Sequence, residues 1–453
     1  MANVSLPSGG KFVILPPLTE KCYDMKKILL ITLSAVVSLT AVAQSAWDEI
    51  KMNPKLAAGK YMAYEYPEDK VVAPPEGYKP FYVSMYARHG SRYLTDKEKY
   101  DYPLDILTAA DSAGKLTDDG KRALAVIKRL AAEAEGRYGE LTPKGAAQHR
   151  SLVVGMVNRW PEAFADGTHV DARSTVKSRA FLSMAAGCVE LARINPELNI
   201  TMDASLHDVY YIKYKNKAYE KQHLADADVV YRMADSVYVH PERLMTQIFN
   251  DSMYVKRRVP APVALMQSLF ELDGISQSSY DMPDLKFLFT DRERYDLWQR
   301  NNFEWYYEKG PSPLSDKAMY KLERNLLENF VLTADTVIAS GRTAVTLRYG
   351  HDTNLAPLAA LMGCDKLAEP TSDWQRIADT YRTYRIIPMC GNVQMVLFRK
   401  AGSDDILVRV MLNERDVTLP VKTDVAPYYH WADLRKYWMS VVNSITLPAE
   451  KAK

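Results

Sequence analysis

Cysteine is scarce in this sequence, with four residues among 453. Cys22 belongs to the amino-terminal leader described below, and Cys364 and Cys390 are able to pair as a disulfide in an oxidising compartment, although their spacing does not fix the pairing. Cys188 falls on an apolar helix face and is expected to be a small buried hydrophobe. The cysteines, and the histidines outside the two motifs below, lack metal-ligand spacing and any HExxH-like pair. We therefore expect no metal and no cofactor.

A large excess of either charge is absent too. Lysine and arginine number 58 and the acidic residues 56, which gives a net charge of +2. Residues 1–43 carry four lysines and two acidic residues, so the chain that follows them is neutral. Binding to nucleic acid requires a concentrated positive face, which a neutral chain without long basic tracts does not provide. We expect no nucleic-acid partner and infer that any affinity for phosphate is local.

An apolar run long enough to span a membrane is also missing. The run Ile28–Val42 is shorter than the roughly 20 residues that a spanning helix needs. Lys26-Lys27 precedes the run, and the small residues Ala41-Val42-Ala43 lie at its end. These segments are the charged, hydrophobic and small-residue parts of a secretory signal. We expect cleavage after Ala43 and a periplasmic or secreted protein, with an uncleaved anchor as the alternative. Residues 1–24 do not fit such a signal, so translation is expected to begin at Met25.

The most informative motif is Arg88-His89-Gly90-Ser91-Arg92, which follows an apolar segment, Phe81–Tyr86, that is typical of a strand. Two arginines with forked donors can hold a phosphoryl group in bidentate fashion. A neutral imidazole between them can attack phosphorus and form a covalent intermediate. The alternative is a surface turn that carries ordinary charge.

A second motif lies far along the chain. Residues Ala344–Tyr349 are typical of a strand, and Gly350-His351-Asp352-Thr353-Asn354 and an apolar helix, Leu355–Met362, follow it. Ligands of open α/β sheets bind beyond the carboxyl ends of the strands, so we expect this turn to meet the first motif. Asp352 can protonate a leaving oxygen and then take a proton from water. An Asx-type cap at the start of the helix is the other interpretation, and both can hold together.

A third element places Arg179 in the first turn of a helix. The short strand His169–Ser174 precedes an amphipathic pattern over Val176–Arg193. The amino terminus of a helix attracts anions, and an arginine there reinforces a phosphate site. Taken alone, an arginine in a first turn is usually a solvated side chain.

The order of elements predicts an α/β protein with a mostly parallel central sheet flanked by helices on both faces. Residues 47–204 and 341–453 form the predicted core, and residues 205–340 form a largely helical cap insertion. Within the core we expect helices over Asp118–Glu135 and Pro143–Arg159, the latter capped by Thr142. The insertion is predicted to end with a helix over Ser315–Ser340, stopped by Gly341.

With these motifs in place, the chain resembles the histidine acid phosphatases, the branch of the histidine phosphatase superfamily that includes phytases, glucose-1-phosphatases and multiple inositol polyphosphate phosphatases. Arg88–Arg92 matches the family's first signature, His351-Asp352 its last, and Arg179 its middle arginine. Leu141–Gly145 with Gln148 at the start of a helix is a further likeness.

The resemblance implies a role for each motif residue. His89 would be the nucleophile that becomes phosphohistidine, and Asp352 would be the proton donor. Four side chains would hold the non-bridging oxygens of phosphate: Arg88, Arg92, Arg179 and His351. Positioning and charge neutralisation are what phosphoryl transfer mainly requires, so no divalent cation is needed. The arginines should lower the pKa of Asp352, and we expect activity to decline toward alkaline pH.

The substrate is expected to be a small phosphate monoester. Lys213, Lys215 and Lys97 are candidates for the pocket rim of a multiply phosphorylated substrate such as phytate, and a solvated surface is the alternative for such charge runs. A sugar phosphate, as in the glucose-1-phosphatase type, is a second substrate class. A phosphate-ester binding protein with weak or no turnover is the rival outside the enzyme class, although the presence of Asp352 disfavours it. The sequence does not indicate an oligomeric state.

Overall fold

One mixed β-sheet organises the protein. The computed structural model describes residues 44–67 and 72–447, so the predicted leader and cleavage after Ala43 lie outside the described residues. The strands are β1 (Tyr78–Arg88), β2 (His169–Ser174), β3 (Asn199–Asp203), β4 (Ala344–Gly350), β5 (Asn392–Lys400), β6 (Ile406–Leu412), β7 (Arg415–Asp416) and β8 (Tyr428–His430). Their order across the sheet is β3-β2-β4-β1-β5-β6-β7, and β8 also pairs with β6.

The predicted α/β class is confirmed, but the sheet is parallel in only one half. Strands β3, β2, β4 and β1 pair in parallel, whereas β5 to β8 pair antiparallel with their neighbours. For β5 and β6 the reason is the short connection 401–405 between them. A parallel pair needs a crossover of a dozen residues or more, so strands joined this closely form a hairpin.

The helices are α1 (Ala46–Met52), α2 (Glu98–Ser112), α3 (Asp118–Ala134), α4 (Pro143–Arg159), α5 (Ser178–Ile194), α6 (Val209–Ile212), α7 (Lys217–His223), α8 (Ala227–Tyr238), α9 (Glu242–Ile248), α10 (Ser252–Arg258), α11 (Pro262–Ser276), α12 (Asp291–Lys309), α13 (Arg324–Ser340), α14 (Asp352–Met362), α15 (Ile377–Thr380), α16 (Thr383–Ile386) and α17 (Trp431–Ser444). Short 3₁₀ segments include Pro54–Tyr61, before β1, and Met319–Glu323, before α13.

Hydrophobic cores lie on both faces of the sheet, as predicted. Side chains alternate along β1, so Tyr82 and Tyr86 join one core while Val83 and Met85 join the other. Helices α4 and α5 pack on the second face, whereas α13, α14 and α17 pack on the first. The sheet is therefore buried on both sides.

Helix predictions hold where capping signals are strong. Helix α4 spans the predicted residues, and the Thr142 hydroxyl accepts a hydrogen bond from the Gly145 amide. The helix predicted from Ser315 instead begins at Arg324. Asp316 and Lys317 have φ angles of 56° and 52°, which a continuous right-handed helix does not allow. The buried Ser315 hydroxyl donates to the Tyr307 carbonyl, so tertiary contacts hold this turn in place.

Residues 205–340 contain helices and no strand. Their apolar side chains share one hydrophobic core with the first face of the sheet, and the described residues from Ser45 onward form one compact unit. The division into a core and a cap remains a prediction. In the part of the chain that the structure describes, no helix is both long enough and apolar enough to cross a membrane.

Cys364 and Cys390, whose pairing the sequence leaves open, are both free and buried in the structure. Cys390 lies beside the first motif, where its amide donates to the His89 carbonyl. Cys364 follows the far end of α14, whose eleven residues span about 16 Å. Cys188 is buried on α5, as the sequence predicts.

Candidate active site

The two polar motifs meet because they follow neighbouring parallel strands. Arg88 at the end of β1 is in register with Gly350 at the end of β4. The His89 amide donates to the Gly350 carbonyl at 2.9 Å, and the imidazole rings of His89 and His351 lie 5.6 Å apart between centroids. The sheet thus brings together at one edge the residues that the sequence places in one site.

His89 is held as a neutral imidazole. Its Nδ1 lies 2.9 Å from the Gly90 carbonyl, so this nitrogen carries the proton and the Nε2 lone pair stays available. Burial, together with the charges of nearby arginines, holds the pKa of His89 well below its usual range. The geometry and the lowered pKa both favour the neutral ring, whose Nε2 could act as a nucleophile.

The backbone around His89 is fixed by a close crossing with helix α4. A Cβ on Gly90 would lie 2.3 Å from the Gly145 carbonyl oxygen, and one on Gly145 would lie 2.2 Å from the Ser91 oxygen. Only glycine fits at either position. The Gln148 side chain accepts from the Ser91 amide at 2.8 Å. The start of helix α4, whose sequence is a further resemblance to the family, thus holds the backbone of the first motif in place.

Arg88 is buried and tied to the backbone. Its Nη1 donates to the carbonyls of Lys60 and Ile387, the latter at 2.7 Å, and its Nη2 lies 2.7 Å from Asp352 Oδ2. Burial lowers the pKa of Arg88 to about 10. This arginine is the direct link between the two motifs.

Asp352 begins helix α14, where one carboxylate oxygen accepts from the Thr353 amide at 2.9 Å. Burial raises the pKa of this carboxyl, but the charges of Arg88, Arg92 and Lys60 outweigh it and lower the pKa to about 2. The direction is the one expected from the sequence. An anion that neutralised those cations would raise the pKa of Asp352 again.

Arg92 and Arg179 add two further guanidinium groups. Arg92 donates to the Tyr93 carbonyl at 2.7 Å and lies 5.6 Å from the centre of the Tyr61 ring. Burial and the charge of Arg92 both lower the pKa of Arg179. The Nε atoms of Arg88, Arg92 and Arg179 are buried without a hydrogen-bond partner among the described residues. Clustered donors of one charge are costly to leave unsatisfied, so the arrangement calls for an anion.

Helix α5 joins Arg179 to the first motif. The Ser183 hydroxyl donates to the Arg179 carbonyl at 2.7 Å and accepts from the Gly90 amide at 3.1 Å. On the other side, His351 Nε2 lies 3.0 Å from the Thr175 hydroxyl. Burial, Lys213 and Arg179 hold the pKa of His351 well below its usual range. The three sequence elements therefore converge on one cluster.

The rim candidates differ in position. Lys213 is close enough to lower the pKa of His351, and burial, Lys215 and other nearby cations lower its own pKa to about 8. Lys215 lines a small neighbouring cavity of about 50 Å³ that also reaches Asn354. Lys97 is half-exposed, and its ammonium lies 2.7 Å from an Asp101 carboxylate oxygen. No described contact joins Lys97 to the cluster.

Lys60 and Tyr61 belong to the site and were missed from sequence. They lie on the 3₁₀ segment before β1, which carries no motif and no clear periodicity. Thr175 and Ser183 were missed as well, because short polar side chains are common near turns. Within the described ranges, no group of three or more histidine, cysteine or acidic side chains is placed to hold a metal ion.

A buried neutral imidazole among three arginines, beside a carboxyl at the start of a helix, defines a hydrolase that acts on phosphate esters. The model of the histidine phosphatase superfamily, branch 2, matches residues 82–413. The chain belongs to this family, and it is a phosphatase.

Relatives and solved structures agree with this assignment. Multiple inositol polyphosphate phosphatase 1 of Gallus gallus is 21% identical over 424 residues, which cover 88% of this chain and 87% of the relative. The human protein of the same name is 28% identical over 107 residues, 22% of each chain. A crystal structure of Bifidobacterium longum multiple inositol polyphosphate phosphatase with inositol hexasulfate has a TM-score of 0.70 at 19% identity, covering 84% of this chain and 97% of that one. A phytase from D. castellii has a TM-score of 0.64 at 14% identity, covering 89% and 88%.

Proposed function

We propose that this protein is a secreted or periplasmic phosphomonoesterase that hydrolyses inositol polyphosphates, phytate among them, through a phosphohistidine intermediate. The observation that carries the proposal is the neutral His89 ring, whose Nε2 is left available among three guanidinium groups with buried Nε atoms. The relatives named for inositol polyphosphates support the substrate class. The signal-like residues 26–43 support export.

In the first step, His89 Nε2 attacks phosphorus while the bond from phosphorus to the ester oxygen breaks. Asp352, in its protonated form, gives its proton to the departing alkoxide, which leaves as an alcohol. Four side chains neutralise the charge on the three non-bridging oxygens: Arg88, Arg92, Arg179 and His351. Fixed donors of this kind are typically the largest contribution to lowering such a barrier.

In the second step, water attacks the phosphohistidine and the bond from phosphorus to Nε2 breaks. The Asp352 carboxylate takes the proton from water, and inorganic phosphate leaves. His89 returns to its neutral form, because the Gly90 carbonyl holds the proton on Nδ1 throughout. Both residues are thus restored after each cycle.

The first step requires a proton on Asp352, whose pKa in the empty site is about 2. A bound phosphate dianion offsets the arginine charges and raises that pKa toward and above its ordinary value. The protonated fraction still falls as pH rises, so we expect activity to be highest in acid and to decline toward alkaline pH. A rate on phytate that rises steadily through pH 9 would rule out Asp352 as the acid.

The segment that follows helix α6 supplies further positive charge. Lys213 and Lys215 lie on it, and the Lys213 charge acts on His351. Such charges suit a substrate with several phosphates. A sugar phosphate, as in the glucose-1-phosphatase type, is the second candidate substrate.

The test is phosphate release from phytate, glucose 1-phosphate and a nucleotide, with a chelator present. We expect the highest kcat/KM on phytate, and we expect His89→Ala to abolish release from all three. His240→Ala replaces an exposed histidine whose Nε2 lies 3.2 Å from the Val237 carbonyl, and it should retain wild-type rates. Acid-labile labelling of the wild type, but not of His89→Ala, by ³²P-phosphate ester would support the intermediate. Equal rates for wild type and His89→Ala would refute it.

A further inference from the structure

Lys60 reaches the site from a part of the chain that the family match does not include, because that match begins at residue 82. It lies on the 3₁₀ segment Pro54–Tyr61, directly after a kink at Gly59. Gly59 has a φ angle of +54°, and a Cβ there would approach Thr383 Oγ1 to 3.0 Å. Glycine is required for the turn that directs Lys60 toward the cluster.

The backbone and side chain of Lys60 are both held in place. The Lys60 carbonyl accepts a hydrogen bond from Arg88. Its ammonium lies 5.2 Å from the centre of the Tyr61 ring and 5.5 Å from that of Trp305 on α12. The Tyr61 ring also contacts Arg92. One aromatic side chain thus supports two cations of the site.

The Lys60 ammonium forms no ion pair among the described residues. Glu271 lies 2.6 Å from the Lys99 ammonium and accepts a hydrogen bond from Tyr61, so its carboxylate has other partners. The charge of Lys60 nevertheless lowers the pKa of both Glu271 and Asp352. A half-buried cation, fixed on two rings and close to the proton donor, is therefore available to an anionic ligand.

We propose that Lys60 binds a second phosphate group of the substrate, on the alcohol that leaves. This inference rests on the proposed function, because Asp352 marks the side of the departing oxygen. In a polyphosphorylated ring, the leaving alcohol carries the remaining phosphates, so a neighbouring one comes within reach of Lys60. A monoester without a second anionic group cannot use this contact.

The test compares kcat/KM for phytate and for p-nitrophenyl phosphate in K60M, K60R and K400M. We expect K60M to lose at least tenfold on phytate, mainly in KM, and less than threefold on p-nitrophenyl phosphate. K60R keeps a cation and should recover most of the loss on phytate. K400M removes an exposed lysine at the end of β5, at the opposite edge of the sheet, and should change neither value.

Equal losses by K60M on both substrates would overturn the proposal, because Lys60 would then act only through Arg88 or Asp352. Unchanged kinetics on both would overturn it as well. If K60M fails to fold, as judged by its melting temperature, K60Q replaces it in the same comparison. A wild type inactive on both substrates would refute the proposed function instead, and calorimetric binding of inositol hexasulfate to wild type and K60M would still decide the role of Lys60.

Discussion

Replacing Asp352 with asparagine separates proton donation from phosphate binding. The substitution preserves size but removes the acid and a negative charge that lies 2.7 Å from Arg88 Nη2. General acid catalysis contributes roughly 10²–10⁴-fold, so we expect kcat on phytate to fall by a factor in this range. The loss on p-nitrophenyl phosphate should be smaller, because p-nitrophenolate departs without a proton.

Phosphate binding should change in the opposite direction. A phosphate held by Arg88 has the same sign of charge as the Asp352 carboxylate, and two such unit charges roughly 6 Å apart repel by about 3 kcal/mol at an effective dielectric constant of about 20. Relaxation and water reduce this value, so we expect inorganic phosphate to bind D352N about tenfold more tightly, or about 1.4 kcal/mol. Calorimetry with phosphate at pH 5 measures the effect directly.

The matched control is Asp404→Asn, which removes an exposed carboxylate in the turn between β5 and β6. It should leave both the rate and the phosphate affinity unchanged. Full activity of D352N on phytate would refute the donor role. Weaker phosphate binding by D352N would refute the electrostatic reasoning, even if the rate fell as expected.

Three further predictions concern the surroundings of the site. Burial raises the pKa of Glu323 from 4.5 to about 8, and Asn354 donates a hydrogen bond to its carboxyl. Between about pH 4.5 and 8, Glu323 is therefore protonated in the folded state and ionised in the unfolded state. The stability of the wild type should fall across this pH range, whereas Glu323→Gln has no such proton to lose. The melting temperature of Glu323→Gln should therefore rise relative to that of the wild type from pH 5 to pH 8. A difference between the two melting temperatures that does not change with pH would contradict the raised pKa. Gly145→Ala places a Cβ 2.2 Å from the Ser91 oxygen and should cost at least about 1–3 kcal/mol in urea unfolding, with unchanged stability as the contrary result. Burial and neighbouring cations lower the pKa of Lys213 to about 8, so this side chain loses its charge above that pH. The KM for phytate should therefore rise above pH 8 in the wild type and rise less in Lys213→Arg. The same change of KM with pH in both proteins would show that Lys213 does not bind substrate.

The parts of the fold that the sequence predicts are those with strong local signals. Helix α4 has a threonine cap and proline in its first turn, and its predicted bounds match the structure. Strand β2 also matches, because its buried and exposed residues alternate regularly. The motif residues come together because both turns follow parallel strands, a rule that applies to the parallel half of the sheet.

Other features depend on tertiary context that a local pattern does not contain. Strand β3 was missed because it lies at the sheet edge and most of its residues are exposed. The turn at Asp316 and Lys317 interrupts a segment whose apolar spacing is typical of a helix. Lys60 had no signal at all, since its importance arises from Arg88, Tyr61 and Trp305 around it.

The balance of charge explains how a chain with little net charge can bind a highly charged ligand. Overall charge is close to neutral, so long-range attraction of polyphosphates is weak and the field must be local. Within the site, the charges of Arg88, Arg92 and Lys60 depress the pKa of Asp352. In the empty site these cations therefore keep Asp352 ionised. In the proposed mechanism, a bound phosphate dianion offsets their charge and raises the pKa of Asp352, which favours the protonated form that the first step needs. In this mechanism, the same charge that binds the substrate to the arginines also promotes protonation of Asp352.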